Sequence, residues 1–156
     1  MRVSACGWVA DTLDETLDIA KRSAEVSHNS QEGIEGAQAI AAAIFLAGTG
    51  HSKQEIKKYI EDTFGYDLDK SVADHRATRS KNYVCSQSAP EAIRYWLEAE
   101  SYEQTILNAV TLRTDADTVA DIAGAIAAAT PSMEVPQEWA DRVFDMLDNE
   151  LKNIFV

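Results

Sequence analysis

Two segments of this chain are apolar on almost every side of a helix, and they restrict its possible folds more than any other feature. One runs from Ile34 to Ala47 and contains GAQAIAAAIFLA, and the other is DTVADIAGAIAAAT, which begins at residue 117. A helix without a polar face must be covered on all sides. We therefore expect both helices inside the molecule. Because few other helices are available to cover them, we also expect the protein to self-associate.

The rest of the chain has helical periodicity and almost no strand signal. Besides the two apolar helices, helices are predicted over 11–26, 53–63, 90–98, 102–112 and from 136 onward. Capping boxes at Ser52 and Ser101 start two of them. Pro90 is predicted at the first position of another, and residues 64–84 are predicted to form a long loop that could include one helical turn. The sequence thus predicts a single all-α domain over 1–156, with about six or seven helices in an orthogonal arrangement.

The charge balance excludes several classes of partner. Among 156 residues, 14 are Lys or Arg and 26 are Asp or Glu, which gives a formal net charge of −12. Such a charge repels nucleic acid phosphates and anionic membranes, so we expect neither as a partner. The longest apolar stretch, residues 39–47, is about half of the ~20 residues that a membrane-spanning helix needs. The first residues lack the apolar core of a signal peptide, so we expect a soluble cytoplasmic protein.

An acidic motif, Thr114-Asp115-Ala116-Asp117-Thr118, precedes the second apolar helix. Two carboxylates and a hydroxyl in a short span are the hard oxygen ligands that Mg²⁺, Mn²⁺ or Ca²⁺ prefers. The alternative is plain helix capping, since Asp and Thr are favoured at helix N-termini. The helix that follows is nearly devoid of polar residues, which places the carboxylates near the interior and favours the metal interpretation modestly.

A second candidate site is Ser27-His28-Asn29, between the first helix and the first apolar helix. These side chains could form a polar rim that contacts a ligand. The alternative is again local, because a histidine near a helix C-terminus complements the dipole and caps carbonyls, while Asn29 could be a left-handed C-terminal residue. The sequence assigns no catalytic residue.

Together these segments resemble the ADP-ribosylglycohydrolase family, in the order in which the family has them, up to about residue 139. The blocks are MRVSACGWVADTLDE, AEVSHNSQEGIEGAQAIAAAIFLAGTG, FGYDL, CSQSAPEAI and NAVTLRTDADTVADIAGAIAAA. The resemblance implies a partial ADP-ribosylglycohydrolase fold, two Mg²⁺ or Mn²⁺ ions, and cleavage of a glycosidic bond of ADP-ribose. It implies metal-ligand roles for Asp115, Asp117 and Thr118, and a place for His28 in the ADP-ribose site.

The chain also departs from the family pattern. Its resemblance is to the C-terminal half, so the Thr-Asp-Asp metal run and the Gly-Asn-Gly loop of the family would lie before Met1. In addition, Arg113-Thr114 replaces the usual Gly-Gly before the acidic motif. Arg113 could pair with Asp115 or Asp117 in place of a metal ion. A site with three ligands instead of about six oxygen donors should bind hard cations weakly.

Two functions follow from this resemblance. The first is a truncated relative without full hydrolase activity by itself, whose metal site is weakly occupied or empty. The alternative is an ADP-ribosyl hydrolase whose dinuclear Mg²⁺ or Mn²⁺ site is completed by oligomerisation or by a separate N-terminal half. In both cases the expected partners are ADP-ribose or an ADP-ribosylated protein.

Overall fold

The computed structural model describes residues 1–69, 71–73, 85–111 and 115–154. Within these ranges the chain is helical and contains no strand, so the all-α prediction is confirmed. A 3-10 turn over Arg2–Ala5 is followed by α1 (Cys6–Val9), α2 (Leu13–Glu25), α3 (Gln31–Gly48), α4 (Lys53–Phe64), α5 (Cys85–Glu98), α6 (Tyr102–Val110), α7 (Ala116–Ala129), α8 (Gln137–Met146) and α9 (Asn149–Lys152). None of the described helices has the length and apolar character needed to cross a membrane.

Helix α3 is the central helix, as its apolar composition predicts. It contacts α1, α2, α4, α5 and α7, and its residues from Ala39 to Ile44 are all buried. The hydroxyl of Ser30 caps its N-terminus by accepting the Gly33 N–H at 3.1 Å. Gly50 follows its C-terminus with a φ of +85°, a conformation that favours glycine. The second apolar helix, α7, is covered by α3, α5 and α6. The two apolar helices therefore find their cover largely within the chain.

The segment before α2 contains a turn and a short helix that the periodicity did not predict. Helix α1 packs closely on α3 at Gly7, where a Cβ atom would lie 2.7 Å from the Cβ of Ile44 and 2.8 Å from the carbonyl oxygen of Ala41. Glycine is required there because any side chain would collide with α3. Elements this short carry too few residues for a helical period to be visible.

Helix α5 corrects the prediction for Pro90, which was placed at a first helical position. Pro90 is inside the helix, which already begins at Cys85. The prediction was wrong because a single proline can lie within a helix if the one hydrogen bond that it cannot donate is given up. Further along α5, the indole N–H of Trp96 donates to Thr130 Oγ1 at 2.9 Å. The ammonium of Lys53 donates to the Trp96 carbonyl oxygen at 2.8 Å near the helix end.

The predicted capping boxes begin α4 and α6. At α4 the box is complete, since Ser52 and Glu55 exchange both hydrogen bonds. At α6 the Ser101 hydroxyl accepts the Gln104 N–H, but the Gln104 side chain accepts the N–H of Glu100 instead of that of Ser101. Most of the loop predicted over 64–84 lies outside the described residues; of its described part, residue 64 ends α4.

Candidate functional site

A cavity of about 400 Å³ lies between the N-terminal turn, α2, α3, α5 and the start of α7. Most of its wall is apolar and is provided by small or aliphatic residues of α3 and α7. Its polar lining residues are Arg2, Ser23, His28, Ser88, Asp115 and Thr118. Three of the residues predicted from the sequence, namely His28, Asp115 and Thr118, therefore line one cavity.

Asp115 occupies the N-cap position of α7, but its side chain makes no capping hydrogen bond. Its carboxylate instead accepts a long hydrogen bond from Ser88 Oγ, at 3.4 Å to Oδ2. Ser88 is only 7% exposed. For Asp115 the side-chain capping alternative is therefore wrong, because the carboxylate bonds Ser88 at the cavity and no helix N–H. Thr118, one turn further along α7 and half-buried, lines the same cavity.

Asp117 is placed differently from the other two residues of the acidic motif. It is exposed and is not among the residues that line the cavity. A carboxylate in the first turn of α7 interacts favourably with the positive end of the helix dipole. For Asp117, the structural role of an acidic residue at a helix N-terminus therefore fits its position. The predicted contact of Arg113 with the acidic motif lies outside the described residues.

His28 lies in the turn that joins α2 to α3. Its backbone N–H donates to the Ala24 carbonyl oxygen at 2.7 Å, and its Nδ1 is 2.8 Å from Ser27 Oγ. Ser27 and Asn29 are exposed and do not line the cavity themselves. No non-glycine residue among those described has a positive φ, so Asn29 is not a left-handed helix terminus and that alternative was wrong.

Three polar residues of the site, Arg2, Ser23 and Ser88, were not singled out from the sequence. Arg2 donates through Nη2 to the carbonyl oxygen of Ser23 at 3.1 Å and also to Ser27 Oγ. Ser88 reaches the cavity because α5 packs against α7. Arg2 and Ser88 belong to blocks that carry the family resemblance, but nothing in the local sequence distinguishes these three residues from ordinary surface residues.

The described residues supply few donors for the divalent ions that the resemblance implies. Asp115 and Thr118 offer a carboxylate and a hydroxyl at the cavity, and Ser23 and Ser88 offer two further hydroxyls. Across the described ranges no group of three or more His, Cys, Asp or Glu side chains converges on a point where an ion could be held. A Mg²⁺ ion takes six oxygen ligands. These residues alone therefore do not make a complete hard-cation site.

The cavity has apolar walls, and the helices bring a carboxylate, hydroxyls, an imidazole and a guanidinium to it. The protein is therefore of the class of all-helical proteins with a pocket suited to a polar, hydroxyl-bearing ligand. The comparison with known families then identifies it. The chain belongs to the ADP-ribosylglycohydrolase family, whose sequence model matches residues 1–155. The resemblance predicted from the sequence is thereby confirmed.

Among curated proteins, the chain is similar to ADP-ribosylhydrolase ARH3 from Homo sapiens and from Bos taurus, with 27% identity to each. It is 25% identical to the same protein from Mus musculus. Each alignment covers 89% of this chain but only 50% or 51% of the relative. The chain thus spans about half the length of the curated relatives it matches.

Proposed function

We propose that this chain binds an ADP-ribosyl ligand in the cavity and does not carry full hydrolase activity by itself. The observation that supports this proposal is that His28, Asp115 and Thr118 line one cavity although the first is far from the other two in the sequence. A ligand with ribose hydroxyls would find acceptors and donors in these side chains. The relatives named above are ADP-ribosylhydrolases, which supports the choice of ADP-ribose over other hydroxyl-bearing compounds.

Charge is the main obstacle to binding such a ligand. The protein has a formal net charge of −12, and ADP-ribose is an anion with two phosphates. Arg2 contributes a positive charge at the rim of the cavity. Where Mg²⁺ or Mn²⁺ is present, Asp115 and Thr118 would hold it, and the ion would add positive charge next to the ligand oxygens.

The second part of the proposal concerns hydrolysis. The cavity residues described supply one carboxylate and three hydroxyls, fewer oxygen donors than a pair of divalent ions requires. We therefore propose that full hydrolase activity needs further oxygen ligands for the metal ions, supplied by residues other than these. The alternative function, hydrolysis of ADP-ribosyl bonds on a modified protein, would be reached if a second copy or a separate chain completed the site.

Isothermal titration calorimetry with ADP-ribose, in the presence and absence of MnCl₂, tests the binding proposal. Asp115→Asn should weaken binding at least about tenfold, because a hydrogen bond to a charged group contributes ~1.5–3 kcal/mol. Asp121→Asn, on the exposed side of the same helix and outside this cavity, is the matched control. Absence of binding at millimolar ADP-ribose and MnCl₂ would contradict the proposal.

A hydrolysis assay separates the two functions. With an ADP-ribosylated Ser or Arg peptide, release of ADP-ribose by this chain should stay at the background rate. Release that is lost in Asp115→Asn would instead establish the enzyme. Asp117→Asn, compared in the same assay, tests whether the exposed carboxylate acts as a metal ligand.

We also propose that the chain self-associates, and that it does so through α8 and not through the two apolar helices. Helices α3 and α7 are largely covered by other parts of the chain, whereas α8 has no buried residue. Its apolar side chains are open to solvent, with Val143 60% and Met146 80% exposed. Light scattering at micromolar concentration should report a species larger than 17.1 kDa, and Val143→Lys should reduce it to a monomer.

A further inference from the structure

We propose that Arg2 and Ser27 are positioning residues that set the tautomer of His28, so that the neutral ring carries its proton on Nε2. The assignment of the tautomer follows from hydrogen bonds within the chain. The further statement that His28 contacts a ligand in this tautomer rests on the proposed function.

The first step concerns Ser27. A guanidinium can donate hydrogen bonds but cannot accept them. Arg2 Nη2 donates to Ser27 Oγ and is anchored by a second bond to the Ser23 carbonyl oxygen at 3.1 Å. A lone pair of Ser27 Oγ is therefore occupied by Arg2. The single hydroxyl proton of Ser27 is left to bond another acceptor.

The second step concerns His28, whose Nδ1 is 2.8 Å from the same Ser27 Oγ. Donation from a charged guanidinium polarises the hydroxyl, which makes its O–H a better donor and its oxygen a poorer acceptor. Oγ has a second lone pair and could accept from Nδ1, but this polarisation favours the arrangement in which Ser27 donates to Nδ1. Because Nδ1 then accepts, the proton of the neutral ring is on Nε2.

This tautomer decides what His28 offers at the cavity. Nδ1 is occupied by Ser27, so Nε2 is the ring nitrogen available to a ligand, and it carries a proton. His28 would therefore donate a hydrogen bond to a ligand oxygen and would not act as a base. Arg2 and Ser27 act on the ligand only through His28.

A second histidine provides an internal contrast. The hydroxyl of Thr49 donates to the Phe45 carbonyl oxygen at 2.8 Å, so its proton is already used. His51 Nδ1 lies 3.1 Å from Thr49 Oγ1 and 3.3 Å from the Leu46 carbonyl oxygen. Both of these oxygens can only accept from His51. His51 should therefore carry its proton on Nδ1, opposite to His28, although each ring bonds a neighbouring hydroxyl.

Long-range ¹H–¹⁵N correlation spectra of the ¹⁵N-labelled chain distinguish the two tautomers directly. They are recorded at about pH 8, where ordinary imidazoles are neutral, and His28→Gln and His51→Gln assign the signals. Wild-type protein should show the Nε2–H form for His28 and the Nδ1–H form for His51. A main Nδ1–H form at His28 would overturn the proposal.

Variants then test the roles of the two positioning residues. Ser27→Ala and Arg2→Met should each move His28 toward the tautomer mixture of a free imidazole, while the His51 signals stay unchanged and report an intact fold. Ser27→Thr keeps the hydroxyl and should restore the wild-type pattern. If His28 is unaffected by both Ser27→Ala and Arg2→Met, neither residue sets its tautomer and the proposal is wrong.

A binding measurement distinguishes failure of this inference from failure of the proposed function. Ser27→Ala should weaken ADP-ribose binding up to about tenfold, the effect of one hydrogen bond, and Ser27→Thr should not. If ADP-ribose does not bind while the expected tautomers are observed, the proposed function fails and the positioning role stands. If ADP-ribose binds equally well to Ser27→Ala, the link between tautomer and ligand is refuted.

Discussion

The carbonyl oxygen of His28 occupies the space that a side chain on Gly33 would need, since a Cβ atom on Gly33 would lie 2.6 Å from it. The same Cβ would lie 3.0 Å from the His28 Cβ and 3.1 Å from Ser30 Oγ. The turn that carries His28 therefore folds directly onto the first turn of α3. The absence of a side chain at Gly33 allows His28 to reach the cavity.

Gly33→Ala should therefore destabilise the protein and displace His28. Because the clash is with backbone, relief requires movement of the whole turn, and we expect a loss of about 1–3 kcal/mol in the free energy of unfolding. Urea denaturation measures the loss, and the His28 ring signals report the displacement.

Gly48→Ala is the matched control for Gly33→Ala, at the other end of the same helix. Its nearest non-local atom is 3.9 Å from the added Cβ. Alanine stabilises a helix relative to glycine by up to about 1 kcal/mol, so this variant should be neutral or more stable. Equal losses in the two variants would contradict the steric explanation.

Gly7→Ala tests the packing of the N-terminal segment on α3. The added Cβ would lie 2.7 Å from both Cβ and Cγ2 of Ile44, so α1 must move away, and we expect a loss of about 1–3 kcal/mol in thermal or urea unfolding. Ile44→Val keeps both of these atoms and should not rescue the variant. Recovery of stability in Gly7→Ala/Ile44→Val would show that the clash lies elsewhere.

Thr130→Val tests the hydrogen bond at Trp96, a side chain that is 1% exposed. Valine has nearly the same shape as threonine but cannot accept the indole N–H, which donates to Thr130 Oγ1 at 2.9 Å. Leaving a buried donor unsatisfied costs about 1–3 kcal/mol. Thr130→Ser keeps the acceptor and should lose less. Equal losses in urea denaturation would mean that the hydrogen bond is not the cause.

Much of the fold could be predicted because its signals are local. The apolar runs predict central helices, and the Ser52 and Ser101 motifs predict helix starts, since a capping bond joins residues three positions apart. The predicted start of α5 was wrong because proline, which favours the first position of a helix, can also lie within one. The segment over residues 2–9 was missed because its elements are too short to show a period.

The site was harder to predict because its residues come from distant parts of the chain. The family order pointed to His28 and to the acidic motif. Helical geometry explains why only part of the acidic motif lines the cavity. Residues three apart share a face of a helix, so Asp115 and Thr118 line the cavity together, whereas Asp117 is turned away from it. Arg2, Ser23 and Ser88 could not be found, since tertiary packing decides which residues line the cavity.

The last prediction concerns the pH dependence of stability and rests on Tyr102. Partial burial, and secondly the negative charge of Asp121, raise the pKa of the Tyr102 phenol above its ordinary value of 10.0. The unfolded chain therefore loses this proton at lower pH than the folded chain. The contribution of Tyr102 is fully present below pH 10.0 and is lost as the pH rises through the higher folded-state pKa.

Tyr102→Phe should accordingly flatten the alkaline decline of the melting temperature. Phenylalanine keeps the ring that contacts Trp139 edge-on, with 6.2 Å between centroids, but it has no proton to lose. Asp121→Asn removes only the charge and should flatten the decline less. Melting curves recorded from about pH 8 to about pH 11 make the comparison, because this window spans the ordinary tyrosine pKa. Parallel declines in wild type and Tyr102→Phe would exclude Tyr102 as the source.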